Sequence, residues 1–175
     1  MSQDAVVADL QVLAERLQAV QAAATGLPWA AQRPWLVETH LWTEEGVPTI
    51  DLHDLGKALA RQVVDHVAEV GEDLRTGAVR LITGRGRHSL GAAVLPNVVA
   101  AALEEHAALH GWQIRGGRPG CLVLITDPQR APSIATGGLG WGFWLIALGM
   151  GAAATWACPP AGIILVVCVL VWQIA

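Results

Sequence analysis

Residues 48–89 read PTIDLHDLGKALARQVVDHVAEVGEDLRTGAVRLITGRGRHS, and their pattern decides the fold. Residues 48–52 form a short strand opened by a proline, where a missing N–H does least harm. In 58–70, Leu59, Val63, Val67 and Val70 line one helical face, with Arg61, Asp65 and Glu69 opposite, so a half-buried helix follows. Gly71 ends it. Residues 78–83 are a β-rich run closed by Gly84. Strand, helix and strand over about 30 residues fit one right-handed crossover. If the two strands are adjacent and parallel, their C-terminal loops share one sheet edge, the usual place for ligands in open sheets.

Downstream, Pro96 suits the first position of a helix running to about His110 and stopped by Gly111. Residues 112–115 and 121–126 are two strands joined by Gly116-Gly117-Arg118-Pro119-Gly120, which is hairpin punctuation. The order βαβαββ predicts an α/β domain, a small mixed sheet with helices crossing it. Upstream, Val6, Leu10, Leu13, Leu17, Val20 and Ala24 form one stripe on a helix over 4–24. Under three heptads is short for a coiled coil, which favours docking on the neighbouring domain. Gly26, Pro28 and Pro34 then mark a connector, and Trp29, Trp35 and Trp42 suggest that it wraps a surface. The expected organisation is an N-terminal helix (1–26), a connector (27–47), the α/β domain (48–126), a linker (127–136) and membrane segments (137–175).

The charge distribution supports that division. Net charge is −4. Residues 1–49 hold six acidic and two basic residues, 50–126 hold eight of each, and 131–175 hold none. A neutral domain binds nucleic acid only through a local basic surface. Residues 137–156 match the ~20 apolar residues that span a bilayer. After Cys158-Pro159-Pro160, residues 161–175 would be about 22 Å long as a helix, short for a full span. Trp141, Trp144, Trp156 and Trp172 fall near the ends of these stretches, as at a lipid–water boundary. The tail therefore reads as a transmembrane hairpin in contact with a lipid bilayer. Arg118 and Arg130 ahead of it place the N-terminal domain in the cytoplasm. Cys121, Cys158 and Cys168 lack metal or redox spacing and read as packing residues. Residues 1–10 do not form a signal peptide.

Chemistry concentrates in two strings, Ile50-Asp51-Leu52-His53-Asp54-Leu55 and Thr83-Gly84-Arg85-Gly86-Arg87-His88-Ser89, each ending a strand. Asp51 and His53 lie on one side of their strand. A histidine can take or give a proton during phosphodiester cleavage, and Asp51 could orient it or hold a divalent metal. The Gly-Arg-Gly-Arg run offers backbone N–H groups and guanidinium forks for phosphate oxygens. Lys57, Arg115 and Arg118 could extend that patch. Each string alone is also compatible with a purely structural turn.

Together with the glycine-rich hairpin at 116–120, the two strings resemble the Smr (small MutS-related) domain over about residues 48–126. That family shows a Leu-Asp-Leu-His-Gly string, a Gly-Lys/Arg-Gly string often followed by His-Ser, and a late glycine-rich hairpin. The resemblance implies a fold similar to the C-terminal domain of bacterial translation initiation factor three, and DNA nicking or RNA cleavage. By it, Asp51, His53 and His88 are the candidate catalytic residues. Lys57, Thr83, Gly84, Arg85, Gly86, Arg87, Ser89, Arg115 and Arg118 are candidates for nucleic-acid binding. Two departures stand out, Ile50 for leucine and Asp54 for the glycine after the histidine. No residue is assigned to a metal, and a divalent cofactor is left open. His66 falls on the apolar stripe of its helix, and His106 and His110 lack a third ligand for zinc. The leading expectation is a membrane-anchored nuclease acting on DNA or RNA. The alternative is a non-catalytic nucleic-acid-binding adaptor at the membrane, and a membrane interaction module without nucleic acid is a third reading.

Overall fold

The chain divides into two units, Met1–Thr136 and Gly137–Ala175. The computed structural model describes residues 2–84, 94–116 and 118–133, all within the first unit. The transmembrane hairpin expected over 137–175 lies outside them. Among the described residues, no helix is long and apolar enough to cross a membrane.

Helix α1 runs Gln3–Thr25, with the Ser2 side chain accepting from the Asp4 N–H at its start. A 3-10 turn at Pro28–Ala31 and a one-turn helix α2, Val37–His40, lead into strand β1, Leu41–Glu44. The remaining elements are β2 (Val47–Asp51), α3 (Lys57–Val70), β3 (Ala78–Ile82), α4 (Val94–His110), β4 (Gln113–Gly116) and β5 (Cys121–Ile125). Sheet order is β1-β2-β3-β5-β4. The β2–β3 pair is parallel, with Thr49 opposite Arg80 and Asp51 opposite Ile82. The β1–β2, β3–β5 and β4–β5 pairs are antiparallel.

From β2 onward the strand and helix order is the one expected. The difference lies in the segment read as a connector. Residues 41–44 form an edge strand there, turned back by Glu45 and Gly46, both at positive φ (54° and 77°). Turns of that kind match the twist of a hairpin. Helix α4 also begins two residues earlier than expected, making Pro96 its third residue.

Alternation along the strands divides the core. Ile50, Leu52, Val79, Leu81 and Leu124 join α1, α3 and α4 in the main core, whereas Val47, Ala78, Val123 and Ile125 form a small cluster on the other face, with Ala131 against it. Helix α1 docks on α3 and the sheet through Val6, Leu13, Leu17, Val20 and Ala24. Leu10 is only half-buried, and Asp9 takes the buried position beside it. Its carboxylate accepts from the Arg75 N–H (2.9 Å), the Thr76 N–H (2.8 Å) and the Thr76 hydroxyl (2.7 Å). Those bonds fasten α1 to the loop that enters β3, the second strand of the site.

Candidate active site

Strand β2 delivers Asp51 and His53 to the edge of the sheet. Leu52 stays in register with β3, its N–H bonding the Ile82 carbonyl at 2.9 Å. The chain then turns, closed by the Leu55 N–H on the Leu52 carbonyl at 3.2 Å. Asp54, the third residue of this turn, has φ +66°. Glycine is the low-strain residue at such a position, and Asp is among the few others that adopt it. A short polar side chain at position 54 therefore fits this turn.

Within the turn, Asp51 Oδ1 accepts from the His53 backbone N–H at 2.9 Å and also bonds His53 Nδ1. The imidazole is about half exposed, with its carboxylate partner more covered (52% and 24%). An acceptor at Nδ1 favours the tautomer with its proton there and leaves the Nε2 lone pair available. Nε2 lies against Gly84, at the end of β3. A methyl group on Gly84 would overlap it and sit 3.0 Å from Cδ2. Gly84 has φ +74°, so two independent constraints demand glycine.

The third string reaches the same edge. Thr83 is buried, and both its N–H (2.9 Å) and its hydroxyl (3.3 Å) donate to the Gly120 carbonyl. The turns after β2 and β3 and the β4–β5 hairpin are therefore contiguous. Thr83 is committed to holding them together, and its hydroxyl is not presented to solvent.

The basic candidates are dispersed. Lys57 is exposed at the first residue of α3, beside the Asp51–Leu55 turn. Arg115 is exposed on the edge strand β4, opposite Val123, with β3 and β5 between it and β2. Arg118 forks across the sheet to Glu44 on β1, Nη1 to Oε1 and Nη2 to Oε2, both at 3.1 Å. Glu44 also meets Arg80 Nη1 at 3.1 Å, and Arg80 Nη2 meets Glu45 at 2.7 Å. Burial opposes the Arg80 charge, but its bonds to Glu45 and Glu44 outweigh that and raise its pKa above the ordinary arginine value. Arg85, Gly86, Arg87, His88 and Ser89 lie outside the described residues. Among the described residues, no group of three or more His, Cys, Asp or Glu side chains is arranged to hold a metal ion.

Two residues of the connector belong to the site although no motif pointed to them. Trp35 is buried to 1% exposure, and its indole N–H donates to the Asp51 carbonyl at 2.8 Å. Arg33 Nη1 lies 3.6 Å from Asp54 Oδ1. The only sequence signal was the run of tryptophans along the connector. Three histidines away from this edge have structural partners: His66 with Glu69 (3.3 Å), His106 with Asp65 (2.9 Å), and His110 with Glu72 (3.2 Å) and stacked on Trp112.

Fold and site together define a mixed α/β domain with an Asp–His pair at the C-terminal edge of two parallel strands. No family model matches the chain, and no curated protein matches it. Among solved structures, the chain is similar to the solution structure of the SMR domain of NEDD4-binding protein 2, at 22% identity. The match covers 54% of this chain and 97% of that one, with a TM-score of 0.35.

Proposed function

We propose that residues 48–126 act as a membrane-anchored Smr-like nuclease domain that binds DNA or RNA and cleaves or nicks it. The observation that carries this reading is the Asp51–His53 pair, held at the sheet edge with Nε2 turned to Gly84 at the start of the second string. Asp51 holds both the His53 backbone N–H and the ring Nδ1, and would stabilise the imidazolium as it forms. Nε2 takes the proton of the attacking oxygen, which is water or, in RNA, a neighbouring 2′-hydroxyl. A new P–O bond forms, the bond to the leaving oxygen breaks, and that oxygen takes a proton from His88, the second candidate acid. Arg85, Arg87 and the glycine N–H groups of residues 84–86 would hold the phosphate oxygens. Residues 137–175 would tether the domain to the bilayer with the N-terminal domain in the cytoplasm, supported by their lack of charge and the arginines ahead of them.

The second reading, a non-catalytic adaptor, is favoured by Asp54, which adds an acidic group beside His53, and by the engagement of Arg118 with Glu44. Full-length protein in detergent micelles, offered structured RNA, nicked duplex and supercoiled plasmid with and without divalent metals, separates the two. The nuclease reading expects cutting by the wild type, and loss of cutting with retained binding in His53→Ala. Salt-sensitive binding without cutting under any metal favours the adaptor. Unchanged mobility of every nucleic acid at low salt rejects both.

A further inference from the structure

Arg33 lies outside the 48–126 block yet stands at its candidate site. Its guanidinium pairs with Asp54, the residue that directly follows His53. The backbone that brings it there is anchored two residues on, where buried Trp35 donates to the Asp51 carbonyl. Pro34, between them, narrows the conformations open to the link. Gln32 and Arg33 on one side, with Asp54, Leu55 and Gly56 on the other, line a surface depression at this corner.

The charges explain why an arginine belongs here. A carboxylate at Asp54 would repel a phosphate approaching the imidazole unless a cation stood beside it. Residues 1–49 supply two basic side chains, Arg16 and Arg33. Arg16 pairs with Glu69 on α3 at 3.5 Å, which leaves Arg33 as the basic residue of that segment at the site. Its side chain is 77% exposed, and an ion pair this open adds little to stability. A guanidinium fork passes readily from one anionic oxygen pair to another, and it suits phosphate as well as carboxylate.

We infer that Arg33 is a phosphate-contacting residue of this site, paired with Asp54 in the free protein and transferred to a strand phosphate of bound DNA or RNA beside His53. The inference rests on the nucleic-acid reading above. It adds that the segment before the 48–126 block contributes to the binding surface, and that Asp54 and Arg33 act as a compensated pair in place of a glycine.

The test is a salt titration of binding by the full-length protein in detergent micelles, with fluorescent hairpin RNA and duplex DNA as probes. Wild type, Arg33→Ala, Asp54→Asn and the double variant are compared. Asparagine tolerates the positive φ at position 54, and Arg33 is exposed, so both variants keep the fold. Arg33→Ala should weaken binding and reduce the slope of log K against log salt by about one. Asp54→Asn should tighten binding, because the competing carboxylate is gone. The deciding comparison is Arg33→Ala within Asp54→Asn: a phosphate contact still costs affinity and slope there, whereas a merely structural ion pair, already broken, costs nothing. Equal affinity and slope in that comparison overturn the inference and leave the nucleic-acid reading standing. A wild type that binds neither probe overturns both.

Discussion

His53 Nε2 fills the space that a β-carbon on Gly84 would need, which joins the first and second strings through direct van der Waals contact. Alanine at position 84 would have to adopt φ +74° and displace the imidazole. The backbone alone costs about 1–2 kcal/mol, and moving His53 adds to that. Gly84→Ala should therefore lower the Tm and shift the His53 ring signals in an NMR spectrum. Under the proposed nuclease reading it should also lose cutting. A Gly84→Ala protein with wild-type Tm and unmoved His53 signals would show that the two turns are not in contact.

Trp35 ties the connector to the acid of the pair from the opposite side. Trp35→Phe keeps most of the ring and removes the donor to the Asp51 carbonyl, a net loss of roughly 0.5–1.5 kcal/mol. Trp35→Ala also empties a fully buried site and should cost about 3–5 kcal/mol. Denaturant unfolding should rank them in that order. Equal stability of Trp35→Phe and wild type would indicate that the indole N–H bond contributes nothing.

The central part of this architecture was legible because its apolar residues keep strict periods. Leu59, Val63 and Val67 repeat at helical spacing and are all buried on α3, and the Asp51 and Gly84 strings end parallel strands as the crossover required. Strand β1 was not legible. Four residues are too few to establish alternation, and Glu-Gly is a weaker hairpin signal than Asn-Gly or Asp-Gly. Asp9 was missed for a different reason. A hydrophobic stripe counts a carboxylate as exposed, and only the fold reveals two backbone amides and a hydroxyl waiting for it. The parts of the site built by Trp35 and Arg33 depend on tertiary contacts across 16 or more residues of chain, which no local pattern encodes.

Asp9 supplies a stability test of the docking of α1. Asp9→Ala leaves the Arg75 and Thr76 amides without their acceptor beneath a helix, while the Thr76 hydroxyl keeps the Ala78 carbonyl at 3.1 Å. Unsatisfied buried donors cost about 1–3 kcal/mol each, so a total loss of about 2–4 kcal/mol is expected after local relaxation. Asp9→Asn keeps one acceptor oxygen and should lose about half of that. Leu10→Ala, at a half-buried position, should be milder than either. Hydrogen exchange reads the effect directly, since the Arg75 and Thr76 amides should exchange much faster in Asp9→Ala. Unchanged protection of both amides would place α1 elsewhere.

Cys121 reports on the sheet face opposite the helices. It opens β5 across from Ile82 and is buried. Burial raises its thiol pKa above the ordinary value, and the nearby Arg80 and Arg118 charges, which pull it down, do not cancel that rise. Alkylation consumes the thiolate. A raised pKa leaves less thiolate at pH 8 than an exposed cysteine would carry, and burial hinders the reagent as well. Iodoacetamide should therefore label Cys121 at least about tenfold more slowly in the native protein than in urea, with peptide mapping separating it from Cys158 and Cys168. Arg118→Ala removes one of the charges that favour thiolate and should slow native labelling further. If instead it speeds labelling, the Arg118–Glu44 fork acts mainly as a cover over β5, and access rather than ionisation controls the thiol.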